Sequence, residues 1–206
     1  PVIADYRKTL KDRLAKLGYQ SDWRLLQASD FGVSQLRPRV AIVAARIEYW
    51  SHFSFPSPKA TAPISVGDLL RDAMASNGWP GADAWAKLAQ DIAPTIVGGS
   101  KKHGGPDLGP TRARRAWEKL NVNGSTIADA APDPDFVGMP RLTTRMVARI
   151  QGFPDTWIFT GKKTNAYRQV GNAFPPPVAE ALGLGIRRAI EAAEAEMTSR
   201  ASVAAE

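Results

Sequence analysis

Residues 141–183 read RLTTRMVARIQGFPDTWIFTGKKTNAYRQVGNAFPPPVAEALG and set two turn-rich blocks between two helical patterns. Thr143 stands where a helix N-cap belongs, with Leu142 before it and Val147 four residues after it as an apolar staple. Val147 and Ile150 carry the apolar stripe to Gln151. Gly152 then takes the place of a left-handed C-cap, with Pro154 just beyond. After a loop, residues 167–177 (YRQVGNAFPPP) read as a compact turn whose prolines, Pro175 to Pro177, open a second helix.

The two blocks resemble the ninth and tenth motifs of DNA cytosine-5 methyltransferases. The ninth runs roughly R-x-L-T-x-R-E-x-A-R-L-Q-G-F-P, and Leu142, Thr143, Arg145, Ala148, Arg149 and Gln151 to Pro154 match it in order. The tenth, roughly R-Q-V-G-N-A-V-P-P, is met by Arg168 to Ala173, Pro175 and Pro176. Met146 stands where the family has the Glu that completes a capping box. The expected result is a weaker helix start, by about 1 kcal/mol or less, with no loss of fold.

Outward toward the N-terminus, Ile3, Tyr6, Leu10, Leu14 and Leu17 recur at helical spacing until Gly18. Residues 23–28 and 40–44 read as two short strands, the second buried. A helix, a strand, a loop and a strand are a piece of an α/β sheet, so the expectation is that the chain begins within a domain. The intervening loop, DFGVSQLRPR at 30–39, resembles the family's eighth motif, G-V-P-Q-x-R-x-R, with Ser34 in place of the Pro. Attack on position 6 of cytosine builds negative charge toward O2 and N3, which a fixed guanidinium near O2 stabilises. The resemblance implies that Arg39 faces the flipped cytosine, while Arg37 and Gln35 hold it or nearby phosphate. Alternating arginines on such a loop also fit a merely solvated surface.

Between these motifs, residues 48–140 are less patterned. Pro56, Pro58 and Pro63 mark a linker, Ser65 caps a short helix carrying Leu69, Leu70 and Met74, and residues 82–89 suggest another. Residues 94–117 then pair a glycine-rich loop with Lys101, Lys102, His103, Arg112, Arg114 and Arg115, just ahead of a helix-like AWEKL run. By resemblance this is the target-recognition region, which enters the major groove of double-stranded DNA. Lysines there can neutralise phosphates, and arginines can bond guanine O6 and N7. A solvated loop fits each residue singly. His103 has no His, Asp or Glu partners at ligand spacing, so phosphate contact or plain exposure is expected and no metal site.

The tail spaces Val178, Leu182, Ile186 and Ile190 four apart with Ala189 and Ala193 nearby, a helix with one apolar stripe, and Gly183 and Gly185 suggest close packing against a neighbour. In the family this helix returns to the cofactor domain, and the turn before it helps close the S-adenosylmethionine pocket. Asn172 and Ala173 are the residues the resemblance places against that cofactor, although a Gly-Asn turn also serves its own backbone.

Composition bounds the rest. The chain has 206 residues, 44% of them hydrophobic, enough for one large core or two small ones. Its formal charge of +7 suits a polyanionic partner. With no cysteine, disulfides and thiolate zinc sites are excluded and a cytoplasmic, nucleoid-associated setting is expected. No apolar run approaches the ~18 residues that span a membrane. The family's nucleophile, a Cys in a Pro-Cys motif, is missing, as are its glycine-rich cofactor loop and Glu-Asn-Val block. The expectation is therefore a fragment or split subunit of a methyltransferase, inactive without an N-terminal half that carries the Cys. The fold expected is the C-terminal part of an α/β, Rossmann-like S-adenosylmethionine-dependent methyltransferase with a small irregular α+β recognition domain. Residues 1–47 form its sheet edge, 48–163 the recognition domain with the ninth motif, and 164–206 the tenth motif and returning helix. Two alternatives are a non-catalytic sequence-specific DNA-binding module and a charge-driven nucleic-acid chaperone.

Overall fold

The computed structural model describes residues 2–60, 62–98 and 105–203. The chain divides into two compact units, one of Pro1–Leu26, Arg39–Pro58 and Ala179–Glu206, the other of Gln27–Pro38 and Lys59–Val178.

In the first unit, helix α1 (Val2–Lys16) half-buries Leu10 and Leu14 and stops at Gly18, whose φ of +83° suits a residue without Cβ. Strands β1 (Tyr19–Gln27) and β2 (Pro38–Arg46) pair as a two-stranded sheet. The expectation of a fully buried second strand is corrected: Ala41 and Val43 are buried, while Val40 and Ile42 on the opposite face are exposed. After the short helix α2 (Ile47–Trp50), Trp50, Phe53 and Phe55 form an aromatic row, with centroids 5.5 and 5.1 Å apart.

Against that row lies α8 (Pro176–Val203), whose stripe also differs from expectation. Ile186 and Ile190 are each 39% exposed, and Gly185, Ala189 and Ala193 line the buried face instead. Small residues let the helix come close: a Cβ on Gly185 would stand 3.3 Å from the Ser54 carbonyl oxygen and 3.6 Å from the Phe53 ring.

The second unit is built on α3 (Val66–Ala75), which packs on α4 (Ala82–Leu88) and α6 (Thr144–Ile150). Ser65 caps α3 as expected, its Oγ accepting from the Asp68 amide at 3.0 Å. Val66, Leu70 and Met74 meet Trp85, Trp117, Met146, Val147 and Ile150 in one core. Gly67 allows the α3–α4 approach, since a Cβ there would fall 2.1 Å from the Ala86 carbonyl oxygen. Helix α5 is Thr111–Glu118, so it begins before the AWEKL run and carries Arg112, Arg114 and Arg115 itself.

Thr143 caps α6, accepting from the Met146 amide at 3.2 Å. Met146 completes the box in its own way: its sulfur accepts the Thr143 N–H at 3.4 Å, a weaker acceptor where the family has a carboxylate. Gly152 ends the helix at φ +89°. The tenth motif departs from its reading as a turn. Residues up to Asn172 continue helix α7 (Lys163–Asn172), and only Ala173 leaves it. Gly171 stays within the helix, and its missing side chain leaves room for the neighbouring backbone: a Cβ there would meet Gly98 Cα at 2.4 Å.

Candidate functional site

The eighth-motif loop takes its shape from local geometry. A 3-10 turn (Ala28–Phe31) ends at Gly32, at φ +82°, and the Ala28 amide closes the loop by donating to the Arg37 carbonyl at 3.1 Å. Beyond the turn, residues 34–36 bridge to Ala93: the Leu36 amide donates to Ala93 at 2.7 Å, and the Ala93 amide to Ser34 at 2.9 Å.

Inside this frame three separated blocks meet in a buried polar cluster. Arg37, 1% exposed, donates through Nη1 to the Ile96 carbonyl and to Gln35 Oε1 at 3.3 Å. Its Nη2 donates to the carbonyls of Gly171 at 2.6 Å and Ala173 at 3.2 Å. Those carbonyls sit at the C-terminal end of α7, where helix carbonyls lack partners and the dipole favours a cation. Gln35 Oε1 also accepts from the Ile96 amide at 2.8 Å, and its Nε2 donates to Gln151 Oε1 at 2.5 Å. Gln151 completes the ring by donating to the Ala173 carbonyl at 2.8 Å. The eighth, ninth and tenth motifs are thus hydrogen-bonded to one another and to the segment at Ile96. Arg37 and Gln35, expected to hold the cytosine or nearby phosphate, are both buried, and these bonds run to groups of the chain.

Arg39, two residues further on, belongs to the first unit and is half-buried. Partial burial draws its pKa below the ordinary arginine value. A guanidinium so placed still carries its charge near neutrality.

A second constellation holds the ends of the glycine-rich segment. The hydroxyl of Tyr167, on α7 and fully buried, lies 2.8 Å from the Val97 carbonyl oxygen and 2.6 Å from that of Asp107, its one proton shared between them. Burial, reinforced by the Asp107 carboxylate, pushes the phenol above its ordinary range, so it stays a donor. The Asp107 side chain accepts from the Gly109 amide at 2.9 Å and from Arg114 Nη2 at 2.9 Å, while Arg114 Nε donates to the Gly109 carbonyl at 2.9 Å. Arg114 therefore fixes the start of α5, and Arg112 and Arg115 stand exposed on that helix. Lys101, Lys102 and His103 lie outside the described residues. Asn172 is exposed at the end of α7, and Ala173 is half-buried with its carbonyl engaged as above.

A hollow of about 620 Å³ elsewhere in this unit, lined by Asp72, Thr143, Arg145, Arg149 and Lys163 among others, does not involve these groups. Arg149 pairs there with Asp72 at 2.7 Å, and Lys163 with Asp129 at 2.9 Å. Gln151 and Tyr167 are the residues that sequence reasoning passed over. Both lie inside or beside matched motifs, which was the signal available for them.

Helices with a strand pair, and two C-terminal blocks bonded to an upstream arginine loop, define the C-terminal part of an α/β methyltransferase. The family model for C-5 cytosine-specific DNA methylases matches residues 4–188, and the chain belongs to that family. It is 58% identical over 193 residues to the type II methyltransferase M.NaeI of Lentzea aerocolonigenes, covering 92% of this chain and 46% of that protein. It is 49% identical over 194 residues to the type II methyltransferase M.NgoMIV of Neisseria gonorrhoeae, covering 93% and 61%. The chain thus spans about half the length of these relatives. Among solved structures, the S. pombe Dnmt2 methyltransferase covers 88% of this chain and 62% of its own at 16% identity, with a TM-score of 0.49. The assignment rests on the family match and not on that loose superposition.

Proposed function

We propose that this chain is the DNA-reading and site-completing part of a DNA cytosine-5 methyltransferase. It acts with a second segment or polypeptide that carries the cysteine nucleophile. The supporting observation is the buried cluster of Gln35, Arg37, Gln151, Gly171 and Ala173, which joins the three family motifs through groups no surface loop would need. A purely charge-driven nucleic-acid binder has no use for such a cluster.

In this reading double-stranded DNA lies along the second unit and the target cytosine leaves the stack, because its ring cannot be attacked inside the duplex. Arg39 holds the negative charge that develops at O2, as an oxyanion donor does. S-adenosylmethionine supplies the methyl group. The residues present fit one edge of it: Asn172 offers an exposed amide with both donor and acceptor, set beside the close Gly98–Gly171 contact. Arg37 and Gln151 hold the Ala173 carbonyl and thereby the turn next to Asn172.

The chain holds no cysteine. That absence also suits a second reading, a sequence-specific DNA-binding module without catalysis. Purified chain should therefore give no methyl transfer to duplex DNA from labelled S-adenosylmethionine. Transfer should appear when a polypeptide bearing the Pro-Cys motif and the cofactor loop is added. Transfer by the chain alone would overturn the assignment of the nucleophile, and none from the pair would leave the binding module as the better reading.

A further inference from the structure

We infer that Tyr167 is a specificity-positioning residue, setting helix α5 so that its exposed arginines read base edges. The inference rests on the proposed DNA-reading role. Its observation is separate: one buried hydroxyl contacts the carbonyls of Val97 and Asp107 at 2.8 and 2.6 Å. Those two carbonyls come from the stretches on either side of the glycine-rich segment, which also approach each other where Val97 lies against Gly109. Asp107 passes the constraint on. Its carboxylate holds the Gly109 amide and the Arg114 guanidinium, and Arg114 closes on the Gly109 carbonyl. The first turn of α5 is therefore tied to α7 through four consecutive hydrogen-bonded groups, and Arg112 and Arg115 project from the part so fixed.

The chemistry requires this rigidity. A bidentate arginine–guanine contact tolerates little displacement, whereas attraction to phosphate tolerates a good deal. Burial of its ring within the apolar core anchors Tyr167 independently of the hydroxyl. Removing only the oxygen should leave the fold and the phosphate attraction in place and loosen the reading of bases.

The test uses the full chain and a library of random duplexes, from which wild-type protein selects a preferred sequence. Binding to that duplex and to a scrambled one is then titrated for wild type, Tyr167→Phe and Asp107→Asn at physiological salt. Tyr167→Phe should lower the preferred-to-scrambled ratio roughly tenfold, comparable to a single mismatched base pair, with affinity for the scrambled duplex unchanged within about twofold. Asp107→Asn should show the same split more weakly, and it carries the test if Tyr167→Phe fails to fold. A ratio unchanged in a folded variant, or an equal loss on both duplexes, overturns the inference. If wild type selects no sequence at all, the DNA-reading role itself fails and this inference falls with it, an outcome distinct from the other two.

Discussion

Arg37 and Arg39 stand two residues apart and differ in burial, the first buried and the second half-buried. A buried guanidinium is costly unless its donors are met, and removing its partners leaves a charge stranded at several kcal/mol. Arg37 escapes that penalty because the carbonyls at the end of α7 accept from it. It is a structural cation, and the alternation R-x-R in the sequence carries no sign of this. Arg39 is half-buried and keeps its charge near neutrality, as the role proposed for it requires. In the reconstituted enzyme, Arg39→Ala should slow the chemical step by about 2–4 kcal/mol, the range for loss of one oxyanion donor. Single-turnover rates and DNA titrations measured together would check this, since DNA affinity should scarcely change. Methyl transfer preserved within a few-fold would remove Arg39 from the base.

At the scale of elements, glycine placement decides packing, and two substitutions separate the effects. Gly183 and Gly171 both lie in helices, where Ala is favoured by about 1 kcal/mol. Around Gly183 nothing stands within 4 Å of an added Cβ, so Gly183→Ala should stabilise. At Gly171 the Cβ meets Gly98 backbone at 2.4 Å, and overpacking of about 1–3 kcal/mol should outweigh the propensity gain. Denaturant melts of the two variants should shift in opposite directions. Another element-scale device is Arg149, which ties α3 to the turn after α6 by pairing with Asp72 and Asp155 at 2.7 and 2.6 Å. Its hydrogen bonds hold both carboxyls below their usual pKa. The stabilisation is thus complete above the unfolded carboxylate value near 4 and disappears as pH falls through the lower folded values. Both carboxylates are largely exposed, so Arg149→Leu should cost only about 1 kcal/mol per pair or less at pH 7. The gap to wild type should narrow by pH 3, and a gap equal at both pH values would dismiss the pairs. The Thr143 cap, the Gly152 stop and the Ser65 cap were legible in the sequence because local hydrogen bonds and φ requirements create them, and both strands because short apolar runs mark them. The helical course of residues 167–172 was not, because a distant partner, Gly98, selects it, whereas Gly185 in α8 already signalled close packing.

For the whole molecule, a formal charge of +7 gives attraction to any polyanion, so affinity alone says little about what is read. The cations of the proposed recognition region should divide by how firmly each is held. Lys101 and Lys102, between glycines in sequence, should act on phosphate: replacing either with Ala should weaken binding to every sequence and lower the salt slope by about 1. Arg114 is tied to Asp107 and Gly109, so Arg114→Ala should act as a loss of positioning, lowering discrimination across several base pairs. Arg112 and Arg115 are exposed on a helix whose start is fixed, and at least one should read a base. Its replacement by Ala should relax discrimination at a single base pair at a cost of roughly 1–3 kcal/mol. Titrating the five variants against the selected site and its one-base mismatches, at two salt concentrations, separates the three behaviours. If all five lost affinity evenly across the mismatches, α5 and the segment before it would not be the reading element. Residues 121–129, which follow α5, would be the next place to look for it.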